Sequence, residues 1–275
     1  MLAAVIQMNS GSDLARNLAQ AEELLRLAAA KGAGLAVLPE HFSLLVPEGQ
    51  EPANAQPLQG PLLAFLAGLA RELDLWLVGG SFPEKVRGGG LYNTCPVLDP
   101  QGRLRAFYRK VHLFRLALPG TEPLDEARFC RPGRRLRVVD TPCGALGLSI
   151  CYDLRFPELY RCLRLKGAEV LVAPSAFTKV TGQAHWELLL RARAVENAAF
   201  MLAAAQWGSH APGRASYGRA MIVNPWGEIL AECPPGTGLA LAEVDPGRVA
   251  ASRERLDSTP QARLLPAAWR GRTNP

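Results

Sequence analysis

The chain has 275 residues, 48% of them hydrophobic and 20% charged, with a formal net charge of +6, which is enough for one large domain with a full core. The basic residues are scattered rather than gathered in a run, which argues against a nucleic-acid partner and fits a small anionic substrate. Six cysteines stand far apart with no C-x-x-C pair, which points away from a zinc site or a disulfide framework and toward reduced thiols in a cytoplasmic protein. Met1 to Ile6 is too short for a signal h-region and no apolar run reaches membrane-spanning length, so neither export nor a membrane partner is expected.

Leu2 to Met8 reads as a first strand, and Asn9 to Asp13 supplies turn and cap residues for an amphipathic helix from about Leu14 to Lys31, stopped by Gly32. A strand at Leu35 to Leu38 ends on Pro39-Glu40, which leaves a carboxylate just past its terminus. Gly60 to Leu73 is a second helix, and Leu75 to Phe82 a third strand interrupted by Gly79-Gly80. Leu91 to Leu98 and Arg103 to Lys110 form a hairpin around Asp99-Pro100-Gln101-Gly102, with Lys110 closing it. Val111 to Arg135 is expected as a long loop, and Leu136 to Asp140 pairs with Ala145 to Cys151.

Beyond Cys151, Pro157 opens a helix running to Gly167, and Glu169 to Ala173 is a strand. Ala184 to Asn197 is a helix with Leu188, Leu189, Ala192 and Val195 on one side. Phe200 to Gln206, Ala220 to Asn224, Glu228 to Ala231 and Leu239 to Val244 follow as strands, and a polar, arginine-rich tail ends the chain from about 257 to 275. Alternating strands and helices in two halves predict an α/β fold in a single domain over 1–275, two sheets with helices outside.

The pivotal stretch is Leu146 to Glu158. An apolar strand ends at Cys151 and polar residues begin at once, so a cysteine sits at a strand-to-helix elbow, where backbone N–H groups stabilise a thiolate or an oxyanion. The residues alone leave a second reading open, in which Cys151 is a small hydrophobe closing a strand. A nucleophile needs a base, yet His41, His112, His185 and His210 lie in separate segments without a recognisable cysteine–histidine signature. Metal-ligand spacing is absent, so no metal or other cofactor is expected. Glu40 and Lys110 each end a strand as Cys151 does, and strand ends gather at one rim of an α/β sheet. Taken singly, each also reads as a solvated surface charge.

Pro39-Glu40-His41-Phe42, Tyr108-Arg109-Lys110-Val111-His112-Leu113 and Ile150-Cys151-Tyr152-Asp153-Leu154-Arg155-Phe156-Pro157-Glu158 together resemble the glutamate, lysine and cysteine motifs of the nitrilase (carbon–nitrogen hydrolase) superfamily. The resemblance runs from about Leu2 to Asp257. Pro174 to Phe177, Thr181 to Glu187 and Arg191 to Asn197 are similar to the branch of deaminated-glutathione amidases and ω-amidases, and Ala203 to Gln206 with Ala215 to Gly218 lean toward the former. Arg219-Ala220 departs from the His-Ser usual there, and Leu256 to Trp269 departs from the usual C-terminal ending.

The resemblance implies a four-layer α-β-β-α sandwich. Such a fold is expected to dimerise into eight layers, through the helix after Cys151 and the Ala184 to Asn197 helix, as a homodimer or a higher homo-oligomer. It implies Cys151 as nucleophile, Glu40 as general base and Lys110 as cationic stabiliser, passing through a thioester, with Lys110 favouring the thiolate. Glu126 aligns with a second glutamate that orients Lys110 or the substrate, and the Tyr152 N–H with an oxyanion donor. Arg155, four residues beyond Cys151, reads equally as a bidentate partner for a substrate carboxylate and as a structural salt bridge to Glu158 or Asp153. Phe177 and Thr181 match substrate-pocket positions, and Phe177 reads equally as core. The implied reaction is hydrolysis of an amide, deaminated glutathione giving 2-oxoglutarate and Cys-Gly, with 2-oxoglutaramate or an N-carbamoyl amide as the alternative.

Overall fold

The computed structural model describes residues 1–47, 49–117, 124–211 and 214–261. Strand β1 (Leu2–Met8) leads to α1 (Leu14–Ala30), whose first turn is capped by the Asp13 carboxylate accepting from the Arg16 N–H. Then come β2 (Leu35–Val37), α2 (Pro61–Glu72) and β3 (Trp76–Val78). The double glycine divides the expected third strand. Gly80, at φ +61°, approaches the Pro39 carbonyl so closely that a Cβ would stand 2.3 Å from it. The chain resumes as β4 (Phe82–Lys85), antiparallel to β5 (Leu91–Leu98), which makes the expected hairpin with β6 (Leu104–Arg109). A short ribbon, β7 (Arg115–Leu116) with β8 (Leu124–Asp125), stands in the stretch expected as loop, where 118–123 lie outside the described residues.

The second half runs through β9 (Val138–Thr141), β10 (Gly144–Leu148), α3 (Pro157–Leu165), β11 (Val170–Val172), α4 (Lys179–Asn197) and β12 (Phe200–Ala203). It continues as β13 (Ala205–Ala211), β14 (Arg214–Tyr217), β15 (Met221–Val223), β16 (Ile229–Glu232), β17 (Gly238–Glu243) and α5 (Pro246–Arg255). Phe200 to Gln206, expected as one strand, is therefore two, and a helix that the sequence reading missed, α5, stands between β17 and the expected tail. Asp245 caps that helix by accepting from the Gly247 N–H. The expected tail's residues 262–275 lie outside the described residues.

Among the described residues, one sheet has nine strands in the order β14-β13-β1-β2-β3-β5-β4, with β17 on β1 and β6 on β5, and a second has six in the order β16-β15-β12-β11-β10-β9. The two halves do not each own a sheet, because β13, β14 and β17 join the first. Strands β1, β2 and β3 are mutually parallel, as are β10, β11 and β12. The period of two along β1 and β2 is visible in what each side chain touches. Ala3, Val5, Leu35 and Val37 enter the cluster that contains the second sheet, whereas Ala4, Ile6, Ala36 and Leu38 pack with Leu24, Leu25, Leu62 and Leu66 of α1 and α2. Leu159 and Leu163 of α3, and Trp186 and Leu190 of α4, pack with the second sheet's residues.

Helix α4 begins five residues earlier than expected, with the Thr178 hydroxyl accepting from the Thr181 N–H. Its buried face is Trp186, Leu190, Arg193, Ala194 and Asn197, while Leu188 and Val195 of the expected stripe face solvent. No described helix is long and apolar enough to cross a membrane.

Candidate active site

Glu40, Lys110 and Cys151 each follow a strand. Glu40 lies three residues beyond β2, Lys110 directly beyond β6, and Cys151 three residues beyond β10 rather than at its last position. The Lys110 N–H donates to the Asn93 carbonyl at 2.9 Å, which continues the β5–β6 ladder by one step. Cys151 has φ +46° and opens a 3-10 turn, Cys151–Arg155. Its N–H donates to the Pro174 carbonyl at 3.0 Å, which ties it to the segment that follows β11. A non-glycine residue held at positive φ is strained and persists only where its surroundings enforce it.

Here the enforcing group is Asp153, wholly buried. Its Oδ2 accepts from the Ile150 N–H at 3.0 Å and from the Tyr108 hydroxyl at 2.7 Å. Its Oδ1 accepts from the His112 N–H at 3.0 Å and meets His112 Nδ1 at 2.7 Å. The His112 ring stacks on Phe156 at 3.7 Å between centroids. The lysine and cysteine motifs are thus joined through one carboxylate.

The charged cluster is compact. Lys110 Nζ donates to Glu40 Oε1 at 2.9 Å and to Glu126 Oε2 at 2.8 Å, although the lysine side chain is only 2% exposed. Asn93 Nδ2 donates to Glu40 Oε1 at 2.9 Å and to Glu126 Oε1 at 3.1 Å. The Ala176 N–H donates to Glu40 Oε2 at 2.9 Å, and the Phe114 N–H to Glu126 Oε2 at 2.7 Å. The Cys151 thiol interacts electrostatically with the Glu40 carboxylate and with the Ala176 backbone.

Burial opposes the charge on Glu40, yet Lys110, His41, the Cys151 thiol and the Lys110 hydrogen bond hold its carboxyl well below the usual range. Burial likewise opposes the Lys110 ammonium, and Glu126 with Glu40 holds it well above the usual lysine range. At Cys151 burial, reinforced by the Glu40 charge, pushes the thiol well above its ordinary value against the pull of Lys110. Lys110 does pull toward the thiolate, as expected, but burial and the Glu40 charge outweigh it. The lysine charge is committed to two carboxylates, so the resting pair is a thiol beside an ionised Glu40. Burial brings His41 down to about 4, so it is neutral at pH 7, with Nε2 3.9 Å from Glu40 Oε1.

The remaining expected residues divide. The Tyr152 ring meets Phe114 and Phe156 edge-on, at 5.3 and 5.5 Å. The Arg155 guanidinium lies 5.3 Å from the Phe177 ring centroid and 5.9 Å from that of Tyr152, and no carboxylate among the described residues pairs with it. Phe177 is buried against Trp186 at 4.9 Å. Tyr152, Arg155 and Phe177 are therefore one aromatic–cation group beside the nucleophile turn. Thr181 is not joined to it by any hydrogen bond among the described residues. Its hydroxyl pairs with Thr178 at 2.8 Å in the first turn of α4. The unusual Arg219 pairs with Glu232, away from the cluster, and its carbonyl accepts from Trp186 Nε1 at 2.7 Å. Asn93, the Ala176 N–H and the clamping role of Asp153 escaped the sequence reading. The available signal for the first was a polar pair, Asn93-Thr94, inside a buried strand.

The carbon-nitrogen hydrolase family profile matches residues 2–254. The chain belongs to that family. It is a hydrolase acting on carbon–nitrogen bonds other than peptide bonds. A Bos taurus protein named deaminated glutathione amidase is 44% identical over 261 residues, spanning 93% of this chain and 80% of its own. A Danio rerio protein named omega-amidase is 37% identical over 260 residues, spanning 94% of each. Saccharomyces cerevisiae Nit3, described as a member of branch 10 of the nitrilase superfamily, superposes with a TM-score of 0.85 at 32% identity, covering 93% of this chain and 94% of that one.

Proposed function

We propose that the protein is an amidase that hydrolyses deaminated glutathione to 2-oxoglutarate and Cys-Gly, with Cys151 as nucleophile, Glu40 as general base and acid, and Lys110 as oxyanion partner. The observation that carries the reading is one ionised, buried carboxylate, Glu40, hydrogen-bonded to the Lys110 ammonium and interacting with the Cys151 thiol. Because Cys151 rests as a thiol, its S–H bond breaks as the C–S bond forms, and Glu40 takes the proton. The carbonyl oxygen becomes an oxyanion, met by the Lys110 ammonium and the Tyr152 N–H, each well-placed donor contributing about 2.7–4 kcal/mol. Collapse breaks the C–N bond, and Glu40 returns its proton to the leaving nitrogen. A water then attacks the thioester, giving a proton to Glu40, and the thiol is restored as the acid leaves. Glu126 keeps Lys110 charged and aimed through the cycle.

Arg155 takes the substrate carboxylate. Its lack of an acidic partner among the described residues and its seat between Tyr152 and Phe177 favour this over a structural ion pair. Phe177 lines the acyl side of the pocket, and Thr181 acts by holding the start of α4. The related omega-amidase supports 2-oxoglutaramate as a second substrate, smaller but sharing the keto acid.

The two sheets and flanking helices form a four-layer α-β-β-α sandwich in a single domain. It is a cytoplasmic homodimer joined through α3 and α4, whose exposed Leu188 and Val195 give α4 an apolar outer face. The enzyme works without a metal or other cofactor. Steady-state kinetics on deaminated glutathione, 2-oxoglutaramate and an N-carbamoyl amide test the assignment. The expected order places deaminated glutathione highest in kcat/KM, with Arg155→Ala raising KM at least tenfold and changing kcat less. A preference for the N-carbamoyl amide would overturn the substrate reading.

A further inference from the structure

Asn93 lies on β5 and touches every part of the charged cluster. Its backbone carbonyl accepts the Lys110 N–H, and the two hydrogens of its amide go to two different carboxylates, Glu40 Oε1 and Glu126 Oε1. Those two acceptors fix the orientation of the amide, since turning it over would aim Oδ1 at two anions. Oδ1 itself is buried without a partner among the described residues, so the amide is held for its donors.

Glu40 Oε1 already accepts two hydrogen bonds, from Lys110 and from Asn93, each at 2.9 Å. Oε2 accepts one, from the Ala176 N–H, the backbone group that the Cys151 thiol also reaches. A carboxylate oxygen with both lone pairs engaged is a poor site for a proton. We propose that Asn93 is a positioning residue: with Lys110 it saturates Oε1 of Glu40, so that the Cys151 proton is received and returned at Oε2, and it separates Glu40 from Glu126 as a neutral double donor. The balance of the step is that of the acylation above, in which the S–H bond breaks, an Oε2–H bond forms, and the same proton leaves on the departing nitrogen. The inference rests on the reading of Glu40 as the base.

Removing the Asn93 donor leaves Lys110 as the one cation between two buried carboxylates. The charged and titratable groups facing Glu40 are then Lys110, His41, Cys151 and, across Lys110, Glu126, with Arg214 acting on His41. Loss of a donor to the ionised form makes the cluster take up a proton at higher pH.

The test is the rate of carbamidomethylation at Cys151 by iodoacetamide between pH 1 and 9, with acid exposures kept brief relative to unfolding, followed by peptide mass spectrometry, which requires no substrate. In the wild type the rate falls on the acid side as Glu40 protonates. Asn93→Ala moves that flank up by at least about one pH unit, so the rate on it drops about tenfold while the rates converge at alkaline pH. Asn93→Asp, which keeps the volume of the side chain and is the working variant should truncation disturb folding, moves it further. Acid flanks that coincide with the wild type in both variants would overturn the proposal. Glu40→Gln runs beside them. If it keeps the wild-type flank, the assignment of Glu40 as the base has failed; if it loses the flank while the Asn93 variants do not shift it, only the role of Asn93 has failed.

Discussion

Lys110→Met swaps a buried ammonium for an apolar chain of similar length and leaves Glu40 and Glu126, both almost wholly buried, without the cation that bridges them. Breaking a buried ion pair from one side costs roughly 3–5 kcal/mol. At about 2–4 °C per kcal/mol for a chain of this size, Tm at pH 7 falls by roughly 6–20 °C. The pH dependence separates this cause from a packing defect. In the wild type the Glu40 carboxyl is held below its ordinary value of 4.5, so its contribution to stability is complete above that pH and is lost as the pH falls toward about 2. Without Lys110 the burial that opposes the charge is unbalanced, the folded-state value rises above the unfolded one, and the variant gains stability as the pH falls. The difference between wild type and variant therefore shrinks between pH 8 and pH 5. Urea denaturation and thermal melting at intervals across that range read it directly. Lys110→Met/Glu126→Gln, with a single carboxylate left, recovers part of the loss. A gap that stays constant with pH, or a double variant no more stable than the single one, would refute the electrostatic reasoning.

Asp153→Ala removes the acceptor of four hydrogen bonds and strands the buried Tyr108 hydroxyl. A loss of roughly 3–5 kcal/mol in urea denaturation is expected from several buried donors left unpaired. With the clamp on the strained Cys151 turn gone, turnover falls by about a hundredfold, and wild-type turnover in this variant would contradict that account. Gly182→Ala sets a Cβ 2.3 Å from the Tyr217 Cβ, so α4 or β14 must shift. Overpacking at about 1–3 kcal/mol exceeds the roughly 1 kcal/mol of helix propensity gained, and Tm falls; a higher Tm would show that the contact relaxes freely.

Glu40 and Cys151 were legible because a charge or thiol soon after an apolar run is a local pattern, and β2 and β10 have the expected apolar character, while Lys110 was placed by the β5–β6 hairpin that it closes. Local pattern could not show that one residue, Ala204, carries the chain from one sheet to the other, because Phe200 to Gln206 is buried throughout. For the same reason the stripe of Leu188 and Val195 looked like a core face. Its true inner face includes Arg193, which is buried with its Nε donating to the Leu154 carbonyl at 3.0 Å, a partnership set by tertiary contact alone. That burial outweighs the pull of Lys110 at Cys151 was not legible, because desolvation is set by the tertiary packing around the thiol rather than by any local pattern. Asn93 went unmarked since an amide carries no charge and no motif of its own.

The central claim is that Cys151 attacks an amide carbonyl and carries the acyl group. Intact-protein mass spectrometry after brief mixing with deaminated glutathione, on wild type and Cys151→Ala, tests it most directly, with release of Cys-Gly followed in parallel. The account predicts a transient mass increase matching the acyl group on the wild type alone, mapped to the Cys151 peptide, with Cys-Gly released by the wild type and none by the variant. Turnover by Cys151→Ala, or an adduct on another residue, would contradict it.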